Sequence, residues 1–321
     1  MKNKQIAQWV ENIKNGYLPT LEEINFLKEY PDLEEVCEGA DLIRQHYSGK
    51  NFDLCSLINA KSGKCPENCK WCSQSAHNDT GVQVYDMIDK NEAVRLAKEN
   101  EAYGVKRFSL VTASKAVSDK ALDKLIDIYE DIKKEVKINF CASMGLVRKD
   151  QLQRLKDVGV EHYHCNLETS ETHFPNVCTT HTYQDKIRTI QWAKEVGLKI
   201  CSGGIFGMGE TIDDRIAMAF ELRRLEVKSI PINILTPVAG TGFADAQLLD
   251  DDEILRSMAL FRYINPDASI RFAGGRIKIK HLQTKALHSG INSALVGNLL
   301  TTLGTSVEED IDSFRKEGFV C

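Results

Sequence analysis

Eight apolar or β-branched runs alternate in strict order with eight helical stretches along this chain of 321 residues, and no other pattern in it restricts the fold as much. The runs fall at 52–60, 107–113, 136–143, 162–169, 199–206, 229–236, 269–276 and 294–301. The helical stretches fall at 92–103, 119–134, 150–158, 183–196, 213–225, 251–263, 279–288 and 308–316. A strand-then-helix unit repeated eight times over about 270 residues predicts an α/β fold of the (β/α)8 TIM-type barrel class. Ahead of it, residues 1–45 have an amphipathic helical pattern, with Thr20 placed as an N-cap before Leu21, Ile24 and Leu27. No Pro/Gly/Ser-rich linker interrupts the remainder, so the expected organisation is an N-terminal helical extension, 1–45, and a barrel, 46–321.

Charge and hydropathy exclude several classes of function. The 41 basic and 46 acidic residues give a net charge of −5, without the basic excess that a nucleic-acid surface needs. No run of about 18 apolar residues offers a membrane-spanning helix. The charged start at residues 1–5 has no apolar stretch after it, so no secretory signal is expected. The chain is expected to be soluble and cytoplasmic, where ten cysteines point to metal binding or catalysis more than to disulfides.

Three of those cysteines carry the strongest chemical signal. Cys65, Cys69 and Cys72 stand at the spacing C-x3-C-x2-C, with Trp71 directly before the third. No second cysteine pair follows at the distance that a structural zinc site requires. Three thiolates can hold three irons of a cubane cluster and leave the fourth open to a cofactor or substrate, which makes the cluster a chemical site as well as an electron carrier. The motif follows the first predicted strand. It therefore falls in a βα loop at the C-terminal face of the barrel, where the active sites of such barrels lie.

This spacing, with an aromatic before the last cysteine, resembles the signature of the radical S-adenosylmethionine superfamily. The resemblance implies a [4Fe–4S] cluster whose open iron is chelated by S-adenosylmethionine, and cleavage of that cofactor to a 5′-deoxyadenosyl radical. Wider segments narrow it. Residues 58–63, 73–77, 164–170, 179–183, 201–210, 231–233 and 270–276 resemble, in order, the biotin synthase family. That resemblance implies sulfur insertion between two saturated carbons of dethiobiotin, with the sulfur taken from an auxiliary iron–sulfur cluster. It also implies a flavodoxin- or ferredoxin-type electron donor and a homodimer.

The auxiliary ligand set implied by the family is three cysteines and an arginine. Three positions match as Cys141, Cys201 and Arg271, and the fourth falls on Ser109, where a cysteine is expected. A hydroxyl is a harder and far more basic donor than a thiolate, which makes serine a poor iron ligand. Three readings stay open: weak ligation by Ser109, fewer protein ligands, or a substitute thiol, with Cys165 and Cys178 as candidates. Strand alternation opposes Cys165 if Asn166 points inward. The cluster is accordingly either the family's usual [2Fe–2S] centre or a larger, sulfide-rich one such as [4Fe–5S]. An arginine in an apolar strand needs anionic partners, and cluster sulfides would supply them.

The same resemblance implies that Asn166 and Glu168 bind the ribose and methionyl part of the cofactor. Lys186 stands where the family usually has an arginine for the methionine carboxylate. The backbone at Gly203, Gly204, Gly207 and Gly209 comes close to a ligand, and Asn233, with Asn166, contacts the substrate's ureido ring. Cys37, Cys55 and Cys321 have no partner evident from spacing, and His77 and His181 are expected to be solvated loop histidines. The alternatives to sulfur insertion are another radical enzyme of this barrel class, a mutase or maturase, and an electron-transfer protein without catalysis.

Overall fold

The structure, a computed structural model, describes residues 1–297 and 306–321. Three helices come first, α1 (Lys4–Lys14), α2 (Leu21–Glu29) and α3 (Leu33–Ser48). There follow β1 (Asp53–Lys61), α4 (Lys90–Ala102), β2 (Arg107–Thr112), α5 (Asp119–Glu135), β3 (Asn139–Ser143), α6 (Lys149–Val158) and β4 (Val160–His164). A short α7 (Phe174–Val177) precedes α8 (Tyr183–Glu195), β5 (Lys199–Cys201), β6 (Gly204–Phe206), α9 (Ile212–Arg224), β7 (Ser229–Ile234), α10 (Asp251–Ile264) and β8 (Ser269–Phe272). A 3-10 turn at Arg276–Leu282 leads into α11 (Gln283–Leu287), and β9 (Ser293–Leu295) and α12 (Val307–Lys316) complete the order. The expected last strand, 294–301, runs into residues 298–305, outside the described residues.

The strands are all parallel, in the order β5-β4-β3-β2-β1-β9-β8-β7-β6, and a pairing of Cys201 with Ser229 joins β5 to β7. The sheet is therefore closed, and the barrel class read from the sequence is the one observed. The fifth barrel strand is split into β5 and β6 by Ser202 and Gly203. At Gly203 the neighbouring strand comes so near that a side chain would collide with the carbonyl oxygen of Pro231. Among the described residues, this break gives nine strands where eight are expected.

Local chemistry explains the helices. Thr20, Thr182, Thr211 and Ser306 each cap a helix whose third residue, Glu23, Asp185, Asp214 or Glu309, bonds back to the cap in a capping box. The outer helices bury one stripe, as in α5, where Leu122, Leu125, Ile128, Tyr129 and Ile132 face the sheet. The N-terminal helices lie on the outer layer, with α3 packed along α10 and Arg256 donating to the carbonyls of Leu27 and Tyr30 at 3.0 and 2.9 Å.

Arg262, near the end of α10, ties that layer to the barrel floor. Its guanidinium is fully buried and donates to the carbonyls of Gly290 (2.7 and 2.9 Å), Pro266 (2.9 Å) and Ala268 (2.7 Å), and to Asn292 Oδ1 (2.9 Å). Arg262→Met orphans these buried acceptors and is expected to cost about 3 kcal/mol or more. Urea unfolding reads this as a lower midpoint at unchanged slope; an unshifted midpoint contradicts it.

Candidate functional site

A cavity of about 430 Å³ runs down the barrel axis and is lined by two separate groups of sulfur atoms, one in the βα loops and one on the inner strand faces. The upper group is Cys65, Cys69 and Cys72. Their loop is zipped to itself by Cys65 N–H to Gln74 O (2.9 Å) and Ala76 N–H to Cys65 O (2.7 Å), and Lys64 turns into it with a positive φ of 51°. It is also fixed to the segment after α7. Asn68 Oδ1 accepts from the backbone N–H of Thr179 (2.9 Å) and Thr180 (3.2 Å), Thr180 Oγ1 donates to Glu67 Oε2 (2.8 Å), and Glu67 pairs with His181. Trp71 packs with Val177, Ile205, Met208 and Leu235 at the cavity wall. Burial raises the Cys65 and Cys72 thiols, the latter to about 11.

Two expectations fail in this loop. His181 is not a solvated histidine: it is buried and held by the Glu67 carboxylate. Cys178 does not join Cys141 and Cys201; its Sγ lies 3.7 Å from Cys69 Sγ. The hydrogen bond that Cys69 donates holds the Cys178 thiol well below its ordinary range and Cys69 far above it. His77, by contrast, is exposed as expected.

Below the loop is a band of polar groups. Glu168 adopts a positive φ of 75° and forms a bridge with Gly204, through Glu168 N–H to Gly203 O (3.0 Å) and Ile205 N–H to Glu168 O (2.9 Å). Asn166 Oδ1 accepts from Gly203 N–H at 3.0 Å and its amide donates to Glu168 Oε2 at 3.3 Å. Lys186 is buried with its Nζ 3.9 Å from Glu168 Oε1 and over the Phe174 ring. Burial disfavours that ammonium, but Glu168 and the nearby thiols outweigh it and raise its pKa. Asn233 is held by its own donation to Gly204 O (3.0 Å) and by Gly274 N–H donating to its Oδ1 (2.8 Å). The N–H of Gly207 is taken by Glu210 at 2.8 Å.

The lower group is built by strand register. Ser109 pairs with Leu57 on one side and Cys141 on the other, while Cys55 pairs with Arg107 one layer lower. Cys201 pairs with His164 and Ser229, and Arg271 with Pro231 and Ser293. Cys55, Ser109, Cys141, Cys201 and Arg271 all line the cavity. Cys55 and Cys141 are hydrogen-bonded, and that bond shifts Cys55 down and, together with burial, Cys141 well up. Burial raises the Cys201 thiol, but His164, Arg271 and the Ser229 hydroxyl, 3.3 Å away, bring it down to about 6. Arg271 donates to Asp53 Oδ2 (2.6 Å) and Ser229 Oγ (3.4 Å), yet its Nε and Nη1 have no protein acceptor; Arg107 Nε has none either.

Cys55, which has no partner evident from spacing, is thus a cavity-lining thiol that no sequence motif singles out. Alternation along β1 was the available signal, because it puts Cys55 and Leu57 on the same inner face. Cys165 is buried at the cavity, and the charges acting on it are those of Lys186 and Glu168, which belong to the upper band. Alternation could not place it, since β4 ends at His164.

Comparison with known proteins follows from this geometry. The radical SAM superfamily model matches residues 60–222, and the biotin and thiamin synthesis associated domain matches 231–320. The biotin synthase of Parabacteroides distasonis is 48% identical across 98% of this chain and 96% of its own length. That of Desulfotalea psychrophila is 50% identical across 90% of this chain and 86% of its own. The chain belongs to the biotin synthase family. Among solved structures, the FeFe-hydrogenase maturase HydG from Carboxydothermus hydrogenoformans aligns with a TM-score of 0.83 over 98% of this chain and 79% of that one, at 20% identity. Methylornithine synthase aligns at 0.81 over 97% and 96%, at 17% identity; both likenesses are of fold alone.

As a member of the biotin synthase family, the chain is a radical SAM transferase, and the superfamily's cofactors are a [4Fe–4S] cluster and S-adenosylmethionine. The hydrogenase maturase shares the barrel fold at only 20% identity. Among the described residues, no helix is long and apolar enough to cross a membrane. The donors fit the family's groups: three thiols converge on one loop, and orphaned guanidinium N–H groups face three more.

The backbone bridge between Glu168 and Gly204 leaves no space for a side chain at Gly204, which would meet Glu168 O and the Met218 sulfur. Gly204→Ala is expected to lower stability by about 1–3 kcal/mol. A thermal midpoint equal to the parent's would contradict that packing.

Proposed function

We propose that the two sulfur groups divide the family's reaction, the insertion of sulfur into dethiobiotin to give biotin, between two iron–sulfur clusters. The observation that carries this is the lower group: buried Cys55 and Cys141 and half-buried Cys201 line the barrel's inner face together with a guanidinium that has unpaired donors. Cys65, Cys69 and Cys72 would hold the [4Fe–4S] cluster. Bound there, cluster and S-adenosylmethionine supply hydrogen abstraction from unactivated carbon, which no acid or base can do for a saturated chain.

The residues around them orient and exclude. Glu168 and Asn166 offer oxygens to ribose hydroxyls, and Lys186 offers a point charge to the methionine carboxylate. Trp71 walls the cofactor, while Gly204 and Gly207 act through packing, since the space beside each is filled by Glu168 and Met218 or by Leu235 and Leu249. Asn233 and Asn166 present amide groups complementary to a ureido ring. Substrate held between the bands then has the radical source above and the sulfur source below.

In the auxiliary site, Cys55 takes the ligand role that Ser109 cannot fill, with Cys141, Cys201 and Arg271 as the other protein donors. Cys165 and Cys178 are not ligands in this reading. The second cation, Arg107, favours the more sulfide-rich cluster, [4Fe–5S], over [2Fe–2S], because added sulfide brings added acceptors and negative charge. A flavodoxin- or ferredoxin-type reductant, a homodimeric assembly, a cytoplasmic location suited to free thiols, and a division at residue 45 between helical extension and barrel belong to the same proposal.

An anaerobic assay with dethiobiotin, S-adenosylmethionine and a low-potential reductant tests it. Biotin and 5′-deoxyadenosine are expected together, and 5′-deoxyadenosine without biotin would refute sulfur insertion. Cys55→Ala is expected to lower biotin formation more than about tenfold while cofactor cleavage persists, with Ser109→Ala near the parent. The reverse ranking would return the ligand role to Ser109. Lys186→Met is expected to weaken S-adenosylmethionine binding by about tenfold, a loss of about 1.4 kcal/mol by calorimetry; unchanged affinity would remove Lys186 from the cofactor site.

A further inference from the structure

We propose that Cys69, Cys178 and His181 form a binding site for a single divalent d-block ion of the zinc type in the cluster-free chain. Cys178 lies outside the C-x3-C-x2-C motif, and the reaction proposed above has no use for it. Its Sγ is 3.7 Å from Cys69 Sγ, and 3.4 and 3.9 Å from Nδ1 and Nε2 of His181; the three donors lie within 4.8 Å of one another. Tetrahedral zinc, with Zn–S of about 2.3 Å and Zn–N of about 2.0–2.1 Å, has S–S edges of roughly 3.8 Å and S–N edges of roughly 3.6 Å. The Cys69–Cys178 and Cys178–His181 edges already stand near those lengths, and the third edge is within 4.8 Å.

The surroundings hold them there. Glu67 bonds to Nδ1 of His181, which fixes the ring and leaves Nε2 for the ion, the carboxylate–histidine arrangement common around zinc. The Phe174 ring packs edge-on against His181, with centroids 5.5 Å apart. Cys178 and His181 are 3% and 8% exposed, and the Asn68 bonds to Thr179 and Thr180 fix the segment that carries them. Binding forms two metal–sulfur bonds and one metal–nitrogen bond and releases the thiol protons to solvent, with the fourth position left to water.

One consequence rests on the reading of Cys69 as a cluster ligand. A single thiolate cannot serve both centres, so the ion and the [4Fe–4S] cluster exclude each other, and an ion at this site delays cluster assembly. The binding itself does not depend on that reading.

Cobalt(II) titration of the cluster-free, full-length Cys65→Ala/Cys72→Ala chain tests the site. Sulfur-to-cobalt charge-transfer absorption with tetrahedral d–d bands is expected, and adding Cys178→Ser, a near-isosteric change, should remove about one ion per chain or weaken its binding at least about tenfold. Absence of the bands, or a titration unchanged by Cys178→Ser, overturns the site. For the exclusion, cluster reconstitution with zinc present is expected to be slowed more in the parent than in Cys178→Ser. Equal slowing overturns the exclusion alone, and so separates the failure of the Cys69 reading from failure of the site.

Discussion

Closure of the parallel sheet across β5, β6 and β7 is the constraint on which the lower half of the site depends. In an open sheet of the same strand order, Cys201 would lie at one edge, separated from Arg271 on β8 by five intervening strands. The contact of Cys201 with Ser229, and of Gly204 with Ile232, turns those edges into neighbours. Only then do thiols from β1, β3 and β5 surround a guanidinium from β8. The split of the fifth strand at Ser202 and Gly203 serves the same end, because it lets two backbones approach where a side chain would hold them apart.

The upper half depends on loops, and here polar bonds replace register. Glu67 and Asn68 fasten the cysteine loop to residues 179–181, so the backbone that carries the three cysteines is held by protein contacts alone. Pre-positioning of this kind lowers the ordering cost of assembly. Between the halves, Glu168, Asn166, Lys186 and Asn233 form a polar belt around an otherwise apolar shaft. Electrostatics differ from end to end. Buried Arg271 and half-buried Arg107, whose pKa falls to about 10 through burial and the neighbouring Arg271, face the lower thiols, and Asp53 balances part of that charge.

How much of this the sequence disclosed follows from the range of each interaction. The eight strand–helix units and the cysteine loop were legible because periodicity and spacing are local properties. The break between β5 and β6 was not, since it arises from the approach of Pro231, which is distant in sequence. Cys55 was passed over for a related reason: its role depends on the registers that set it beside Arg107 and Cys141, and no motif surrounds it. His181 and Cys178 become partners of Glu67 and Cys69 only when two loops meet, across more than one hundred residues. Donor chemistry alone marks Ser109 as a poor ligand, but the thiol proposed in its place, Cys55, is found only in three dimensions.

The central claim is that the chain holds a second cluster independent of the three-cysteine loop. Anaerobic iron and acid-labile sulfide determination with Mössbauer spectroscopy, on the parent and on the Cys65→Ala/Cys69→Ala/Cys72→Ala chain, tests it most directly. Iron and sulfide retained in the triple variant, with a spectrum distinct from that of a [4Fe–4S] cubane, is the predicted result, and the ratio of iron to sulfide distinguishes [2Fe–2S] from [4Fe–5S]. Complete loss of iron would contradict the account.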